Sequence, residues 1–342
     1  MLRKFFKDKT VLITGANGSI GSEVLNILLK YHCKVIRAFS NDENGLFLLS
    51  QKINSEKNLS LSSHMYRKKI RYIYGDICDE YKCYEAMKNV DIVIHTAALK
   101  HLPLCEFNPF EAVNVNVLGT KNLVKAAIAE NVSKFLFIST DKVVDASSVL
   151  GSTKLLAERI VLNANIIRGK ARTVFSCIRF GNVIGSRGSV LPTFAKQAKN
   201  NFKITLSDQK MKRCFVTIEV AAKAILKSIL IMKDGEIFLP KNIVTFSIYD
   251  LAKAVKKFFN SKSKIAIVGK KDGEKLEEKI LFDEEIDRSK IINDLIVIGR
   301  KKSNKSFRTK ILDIYKIKNE KYIMNYIKST LKFKFLLNKI SL

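Results

Sequence analysis

Thr14-Gly15-Ala16-Asn17-Gly18-Ser19-Ile20-Gly21 sets glycines at i, i+3 and i+6, a spacing that lets the chain turn tightly and bring amide N–H groups against an anion. A pyrophosphate suits such a turn when a helix opens directly after it, because the helix dipole and its unpaired first amides face the same way. The expected chemistry is dinucleotide binding, with Gly15, Asn17, Gly18, Ser19, Ile20 and Gly21 around the phosphates. A glycine triplet by itself is weak. Here strand, turn, amphipathic helix and second strand follow in order. The second strand ends Phe39-Ser40-Asn41-Asp42-Glu43, and no acid is expected at its tip to hold the ribose hydroxyls of NAD. Ser40 and Asn41, helped by Arg37, suit the extra phosphate of NADP, so NADP is expected, with NAD the alternative. Asp76 and Ile77, after the third strand, are expected beside the adenine; an ordinary strand-end aspartate is the plain alternative.

These residues need a sheet to hold them. Strands are expected at Thr10 to Thr14, Lys34 to Phe39, Ile70 to Tyr74, Asp91 to His95, Lys134 to Ser139 and Val174 to Arg179, alternating with helical patterns. Ile20, Val24, Ile27, Leu28 and Tyr31 form one apolar helix face between the first two. The class is therefore α/β, a Rossmann-like doubly wound parallel sheet with a smaller C-terminal substrate-binding region. Residues 1–180 are expected to be the dinucleotide domain, with segments around 215–245 returning to it; 181–300 the substrate region; and 301–342 a basic tail. Asn54 to Ser63 reads as a loop insertion, and Tyr315 to Leu337 as an amphipathic stretch that packs as a terminal helix.

The 342 residues carry 61 Lys and Arg against 32 Asp and Glu, a net charge of +29 at 47% apolar content, which excludes a disordered or collagen-like chain. The charge is spread as Lys among Ile and Asn without aromatic interleaving, so no specific nucleic-acid partner is expected. A phosphate-bearing substrate would profit from it. Six scattered cysteines give neither a disulfide framework nor a metal site. Without a leader-like start or a membrane-length apolar run, the expected address is the cytoplasm.

From the fourth strand onward the motifs become specific. In order they are His95-Thr-Ala-Ala-Leu-Lys-His-Leu-Pro-Leu-Cys-Glu-Phe-Asn-Pro-Phe-Glu111, Asn114-Val-Asn-Val-Leu-Gly-Thr-Lys-Asn122, Ser139-Thr-Asp-Lys142, Gly151-Ser-Thr-Lys154, Arg179-Phe-Gly-Asn-Val-Ile-Gly-Ser-Arg-Gly-Ser-Val190, Met211-Lys-Arg-Cys-Phe-Val-Thr217 and Gly273-Glu-Lys-Leu276. This series resembles the UDP-N-acetylglucosamine 4,6-dehydratase (capsular polysaccharide biosynthesis) family of extended short-chain dehydrogenase/reductases, over about residues 8 to 285. The resemblance implies a UDP-sugar substrate, a nicotinamide cofactor and a homo-oligomer. It implies C4 oxidation, water elimination across C5 and C6, and hydride return to C6. A UDP-sugar 4-epimerase is the alternative, and a catalytically degenerate, cofactor-bound basic binding protein the further one.

The resemblance places Thr140, Asp141, Lys142 and Lys154 in catalysis, with Asp141 protonating the leaving hydroxyl, Lys142 acting at C5 and Lys154 holding the nicotinamide ribose. Ala97 and Ala98 fall beside the cofactor. Lys100, His101, Asn182, Ser189, Val190, Arg213, Lys271 and Glu274 fall on the substrate side, and Asn116 is expected to stabilise the sheet's active-site end. A lysine base needs a lowered pKa, which burial and Lys154 favour and Asp141 opposes. Three departures stand out: Leu150 replaces the family's tyrosine or methionine, Lys271 replaces an arginine, and Val143-Val-Asp-Ala146 replaces Ala-Val-Asn-Pro. Leu150 cannot ionise, so the C4 proton is expected to go to Asp141, through Thr140, or to water.

Overall fold

The computed structural model describes residues 1–55, 69–301, 308–313, 316–318 and 322–328. Its centre is a nine-stranded sheet in the order β13-β14-β10-β6-β5-β4-β1-β2-β3. The strands are β1 (Thr10–Thr14), β2 (Val35–Ser40), β3 (Ile70–Tyr74), β4 (Ile92–His95), β5 (Lys134–Ile138), β6 (Val174–Ile178), β10 (Ile237–Pro240), β13 (Ser289–Ile292) and β14 (Leu295–Ile298). From β3 to β10 every pairing is parallel; β14 then adds antiparallel to β10, and β13 to β14. All five residues of Thr10–Thr14 are buried, as expected of a strand covered by helices on both faces.

Two apolar cores follow from that covering. The helix Ser19–Leu29 seats Val24 and Leu28 on one face of the sheet beside Ile225 and Ile229 of the helix Ile218–Ile231. The other face carries Glu80–Met87, Thr120–Ala129 and Val149–Ile167, with Leu123, Val124, Ala157 and Val161 against Phe135, Phe137 and Phe175. A third core belongs to a smaller region. It holds a three-stranded sheet of β7 (Asn182–Ile184), β9 (Lys212–Thr217) and β11 (Val244–Ser247), a parallel pair of β8 (Ile204–Leu206) and β12 (Ile265–Ile267), and the helices Val190–Lys199 and Ile248–Phe258. Ile323 and Ile327, in a helical stretch at 322–328, are buried in this third core.

The six expected strands all form, with ends unchanged or shifted by one residue, and the chain crosses over in the order a doubly wound sheet requires. Three further strands join them: β10 extends the parallel array, and the β13–β14 hairpin closes its edge. Of the loop expected from Asn54 to Ser63, Asn54 and Ser55 instead finish the helix Glu43–Ser55, and the rest lies outside the described residues. The amphipathic stretch from Tyr315 is helical at 322–328; apart from 316–318, its remainder lies outside them as well.

Strand order reverses between β1 and β4, whose carboxyl ends therefore diverge into a crevice. Three buried charges fix what lies beside it. Arg179, just after β6, is fully buried and pairs with Glu158 of the helix Val149–Ile167 at 2.5 Å and with Glu285 at 2.6 Å. This ties the sheet, the helix bearing Lys154 and the segment 283–286 into one block.

Candidate active site

The crevice is a cleft of about 710 Å3 along the carboxyl edge of the sheet. At one end lies the glycine turn. Gly15 has φ +63 and approaches the Ala97 backbone so closely that a Cβ would sit 2.8 Å from its nitrogen. No side chain caps the helix Ser19–Leu29, so its first amides stay available to an anion. Gly15, Asn17, Gly18, Ser19, Ile20 and Gly21 all line this end, as do Ser40, Asn41, Asp76 and Ile77, and Ala97 and Ala98 line the floor. These groups fit a dinucleotide.

Two expectations about the strand tip are corrected. Arg37 is turned away: its guanidinium donates to the Ala86 carbonyl at 2.7 Å and does not line the cleft. An acid does stand at the tip, because Asp42 lines the cleft and accepts from Asn17 Nδ2 at 2.6 Å and from the Gly45 amide at 2.8 Å. Ser40 donates to Asn17 Oδ1 at 2.8 Å, and Asn41 donates to Asp76 at 2.8 Å. Burial works against the charge on Asp76, but the bonds from Cys78 and Asn41 hold its carboxyl below the usual range.

At the middle of the cleft, just beyond β5, Thr140 caps a single 3-10 turn, Asp141–Val143. Asp141 is fully buried, and its Oδ1 accepts from Thr140 Oγ1 at 2.9 Å and from Lys142 Nζ at 3.0 Å. Lys142 lines the cleft itself. Burial disfavours the Lys142 ammonium, but Asp141 and Glu278 outweigh it and raise the pKa above the ordinary lysine value. Lys154 is in the opposite state. Its Nζ donates to the Ile138 carbonyl at 2.7 Å and sits 3.9 Å from the centre of the Phe137 ring, and burial lowers its pKa to about 7. Leu150 is buried with Cys105 and Ala112 and presents an apolar wall where an ionisable group was absent from the sequence.

Around this point four buried polar atoms have no hydrogen-bond partner: Ser139 Oγ and Asn182 Nδ2, on residues of the cleft lining, and Asp141 Oδ2 and Glu278 Oε2, on residues that do not line it. Buried polar atoms are nearly always paired, so this cluster marks where a polar ligand or a reacting group belongs. Lys100, His101, Asn182 and Ser189 line the same end of the cleft. Lys100 Nζ donates to the Arg187 carbonyl at 2.7 Å, and Gly188, at φ +70, lies where a Cβ would meet His101 Cε1 at 2.6 Å. Burial, with Lys100 adding to it, lowers the His101 pKa. Asn116 takes Leu99 N–H and donates to Thr153 Oγ1, stitching the loop after β4 to the helix of Lys154.

The remaining substrate-side residues stand outside the cleft lining. Val190 begins the helix Val190–Lys199 one residue beyond Ser189. Arg213 spends its guanidinium on the carbonyls of Lys212, Lys275 and Leu276 and lines a second cavity of about 80 Å3. Lys271 and Glu274 bond each other across a turn, the Lys271 amide donating to Glu274 Oε2 at 3.0 Å. Asp145, at φ +49, is exposed, and its carbonyl and that of Val144 accept from Lys275. The sequence reading did not single out Glu278, Ser139, Arg187 or Asp42. Ser139 and Arg187 lie inside the Ser139–Lys142 and Arg179–Val190 motifs and Asp42 in the run that ends the second strand, while the signal for Glu278 is the Glu277-Glu278 pair directly after the Gly273-Glu-Lys-Leu276 motif.

With this geometry in view, the family model described as "Polysaccharide biosynthesis protein" matches residues 11–300. The chain belongs to that family, a branch of the extended short-chain dehydrogenase/reductases. Among relatives, it is 43% identical to an uncharacterized membrane protein of Methanocaldococcus jannaschii, covering 87% of each chain. It is 38% identical to a UDP-glucose 4-epimerase of Rickettsia bellii, over 82% of this chain and 80% of that one. Among solved structures, Pen from Bacillus thuringiensis superposes with a TM-score of 0.85 at 36% identity, over 95% of this chain and 98% of that one. Among the described residues of this family member, no helix is long and apolar enough to cross a membrane, and no cluster of three metal-binding side chains occurs.

Proposed function

We propose that this protein is a nucleotide-sugar 4,6-dehydratase acting on UDP-N-acetylglucosamine in the cytoplasm. The carrying observation is the buried Asp141 carboxylate held at 3.0 Å from the Lys142 ammonium, with its own Oδ2 and three neighbouring polar atoms unpartnered. A nicotinamide bound in the cleft would accept a hydride from sugar C4 and give it back at C6. Lys154, bonded to the Ile138 carbonyl, fixes the ribose next to that nicotinamide. Asp141 takes the C4 hydroxyl proton, directly at its free Oδ2 or through Thr140 at Oδ1, and delivers it to the departing C6 hydroxyl. Lys142 removes and restores the C5 proton. Lys100 and His101 meet the diphosphate or the sugar, and Arg213 and Glu274 shape the segment that covers the uridine. Asp42 at the strand tip and the retreat of Arg37 favour the ribose hydroxyls of NAD over the phosphate of NADP.

Incubation of the purified protein with UDP-N-acetylglucosamine and either cofactor, followed by mass spectrometry, tests this reading: a product lighter by one water is expected. A new isomer of unchanged mass would support the second reading, a UDP-sugar 4-epimerase, which the name of the Rickettsia bellii relative favours. Exposed Leu104, Phe107, Phe110 and Leu156, on helices that pack together, form the surface we assign to a homo-oligomer. Light scattering of Phe107→Asp against wild type checks that surface.

A further inference from the structure

Lys142 has a second carboxylate. Glu278 reaches it from the segment between β12 and the helix Asp283–Ile286, is buried, and holds Oε1 3.9 Å from Lys142 Nζ. Its Oε2 is one of the unpartnered atoms. The charged groups facing it are Lys142, Asp141, Arg213 and Lys275, and Cys214 Sγ lies 4.0 Å from its carbonyl. Arg213 and Lys275 are both occupied by backbone carbonyls. Lys142 itself faces Asp141, Glu278 and Arg213.

A lysine between two carboxylates is held as an ammonium, which is the wrong state for a group that must take a proton from C5. Asp141 is not the group to relieve it, since its Oδ1 already accepts two hydrogen bonds and its Oδ2 is the oxygen assigned to the C4 hydroxyl proton. Glu278 is different. Burial pushes its pKa above the ordinary carboxylate range, with the charge of Lys142 pulling the other way. It also lines the second cavity, of about 80 Å3, which has room for a water.

We propose that Glu278 is the proton store of the active site: it takes one proton from the Lys142 ammonium as the substrate closes over the pair, so that Lys142 meets C5 as a free amine. One N–H bond breaks and one O–H bond forms; nothing is oxidised, and the net charge of the pair stays at zero, so no proton is lost to solvent. A lysine rotamer change, or a water, closes the gap beyond hydrogen-bond length. After Lys142 returns its proton to C5, Glu278 gives the stored proton back. Glu278 thus acts through Lys142, as a positioning residue for a proton, and the proposal rests on the dehydratase reading.

The test is Glu278→Gln, with Glu278→Asp as the conservative control, assayed by water loss from UDP-N-acetylglucosamine and by solvent deuterium entering C5. Wild type should show a flat kcat through the neutral range. In Glu278→Gln the amine is freed only by proton loss to solvent, so kcat should fall roughly tenfold or more toward pH 6 and recover toward about pH 9. C5 exchange should follow the same slope, KM should stay within about threefold, and Glu278→Asp should restore part of the flat profile. A flat, wild-type-like Glu278→Gln profile overturns the proposal, and so does a pH-independent loss of kcat, KM and melting temperature together. A measurement without turnover separates this from failure of the dehydratase reading: acylation of Lys142 by acetic anhydride against pH, mapped by mass spectrometry. Glu278→Gln should shift it to lower pH, and an unmoved titration also overturns the proposal. If wild type eliminates no water, the dehydratase reading and the C5 role fall together, while a shifted acylation still shows that Glu278 sets the charge on Lys142.

Discussion

The two ends of the cleft are built on opposite principles. At the glycine-turn end, Asn17, Ser40, Asn41, Asp42 and Asp76 already bond to partners within the group, with Asn41 and Asp42 exposed, Asn17 and Asp76 half-buried and Ser40 buried. At the other end, Ser139 Oγ and Asn182 Nδ2 on the lining residues, with Asp141 Oδ2 and Glu278 Oε2 near Lys142, are buried polar atoms without a partner. A ligand arriving at the first end exchanges one set of hydrogen bonds for another, a nearly balanced trade. A ligand arriving at the second supplies bonds that were missing and meets charges undiluted by solvent. Under the proposed function, recognition is therefore adjustable at one end and chemistry concentrated at the other.

Substitutions should separate the two ends sharply. Lys142→Ala is expected to cut water loss by about a thousandfold or more while bound nucleotide, read by absorbance of the purified protein, stays unchanged. Near-normal turnover would remove the distinction between the ends. Arg179→Leu acts on the frame of the reaction end: it strands Glu158 and Glu285 without their shared cation and should cost about 3–5 kcal/mol in chemical denaturation. A loss under about 1 kcal/mol would mean that the block is held by apolar packing alone.

Lys154 allows a subtler test. Its folded pKa, lowered by burial to about 7, lies below the unfolded value, so the unfolded chain binds the extra proton across the range between them. Stability from this group therefore rises with pH through that window, and the burden of the buried ammonium is greatest below it. Lys154→Met should raise the melting temperature by several degrees near pH 6 and by much less near pH 10, at roughly 2–4 °C per kcal/mol. An equal gain at both would place the ammonium in a solvated setting. The smallest effect belongs to the open end, where Asp42→Ala should weaken NAD binding by about threefold to tenfold in calorimetry and relax discrimination against NADP. A larger loss would make that end as demanding as the other.

What could be read from the sequence follows the range of the interactions involved. The six parallel strands are legible because burial on both faces forces runs such as Thr10–Thr14, and the turn after β1 is legible because Gly15, at φ +63 against Ala97, has no substitute. The strand Ile237–Pro240 was hidden by its proline and short length, and the hairpin Ser289–Ile298 by its distance from the dinucleotide motifs. The reaction end was half legible. Thr140, Asp141 and Lys142 are adjacent in the chain, but Glu278 reaches Lys142 only through the folding of the smaller region, and Arg179 finds Glu285 across 106 positions. Arg37 and Asp42 were misjudged for a simpler reason: alternation along β2 and the turn after it decide which side chain faces the cleft, and residue type does not.

The smaller region's core, finally, is completed by residues made late. Ile323 and Ile327 sit in the same apolar cluster as Phe246, Leu251 and Val255. During synthesis, then, the strands β1 to β6 and their helices can assemble on the ribosome well before this cluster has all its members. Until residues 322–328 emerge, the chain carries the main sheet and its helices beside an exposed apolar surface, which is the interval in which a chaperone, or a neighbouring nascent chain, would find it.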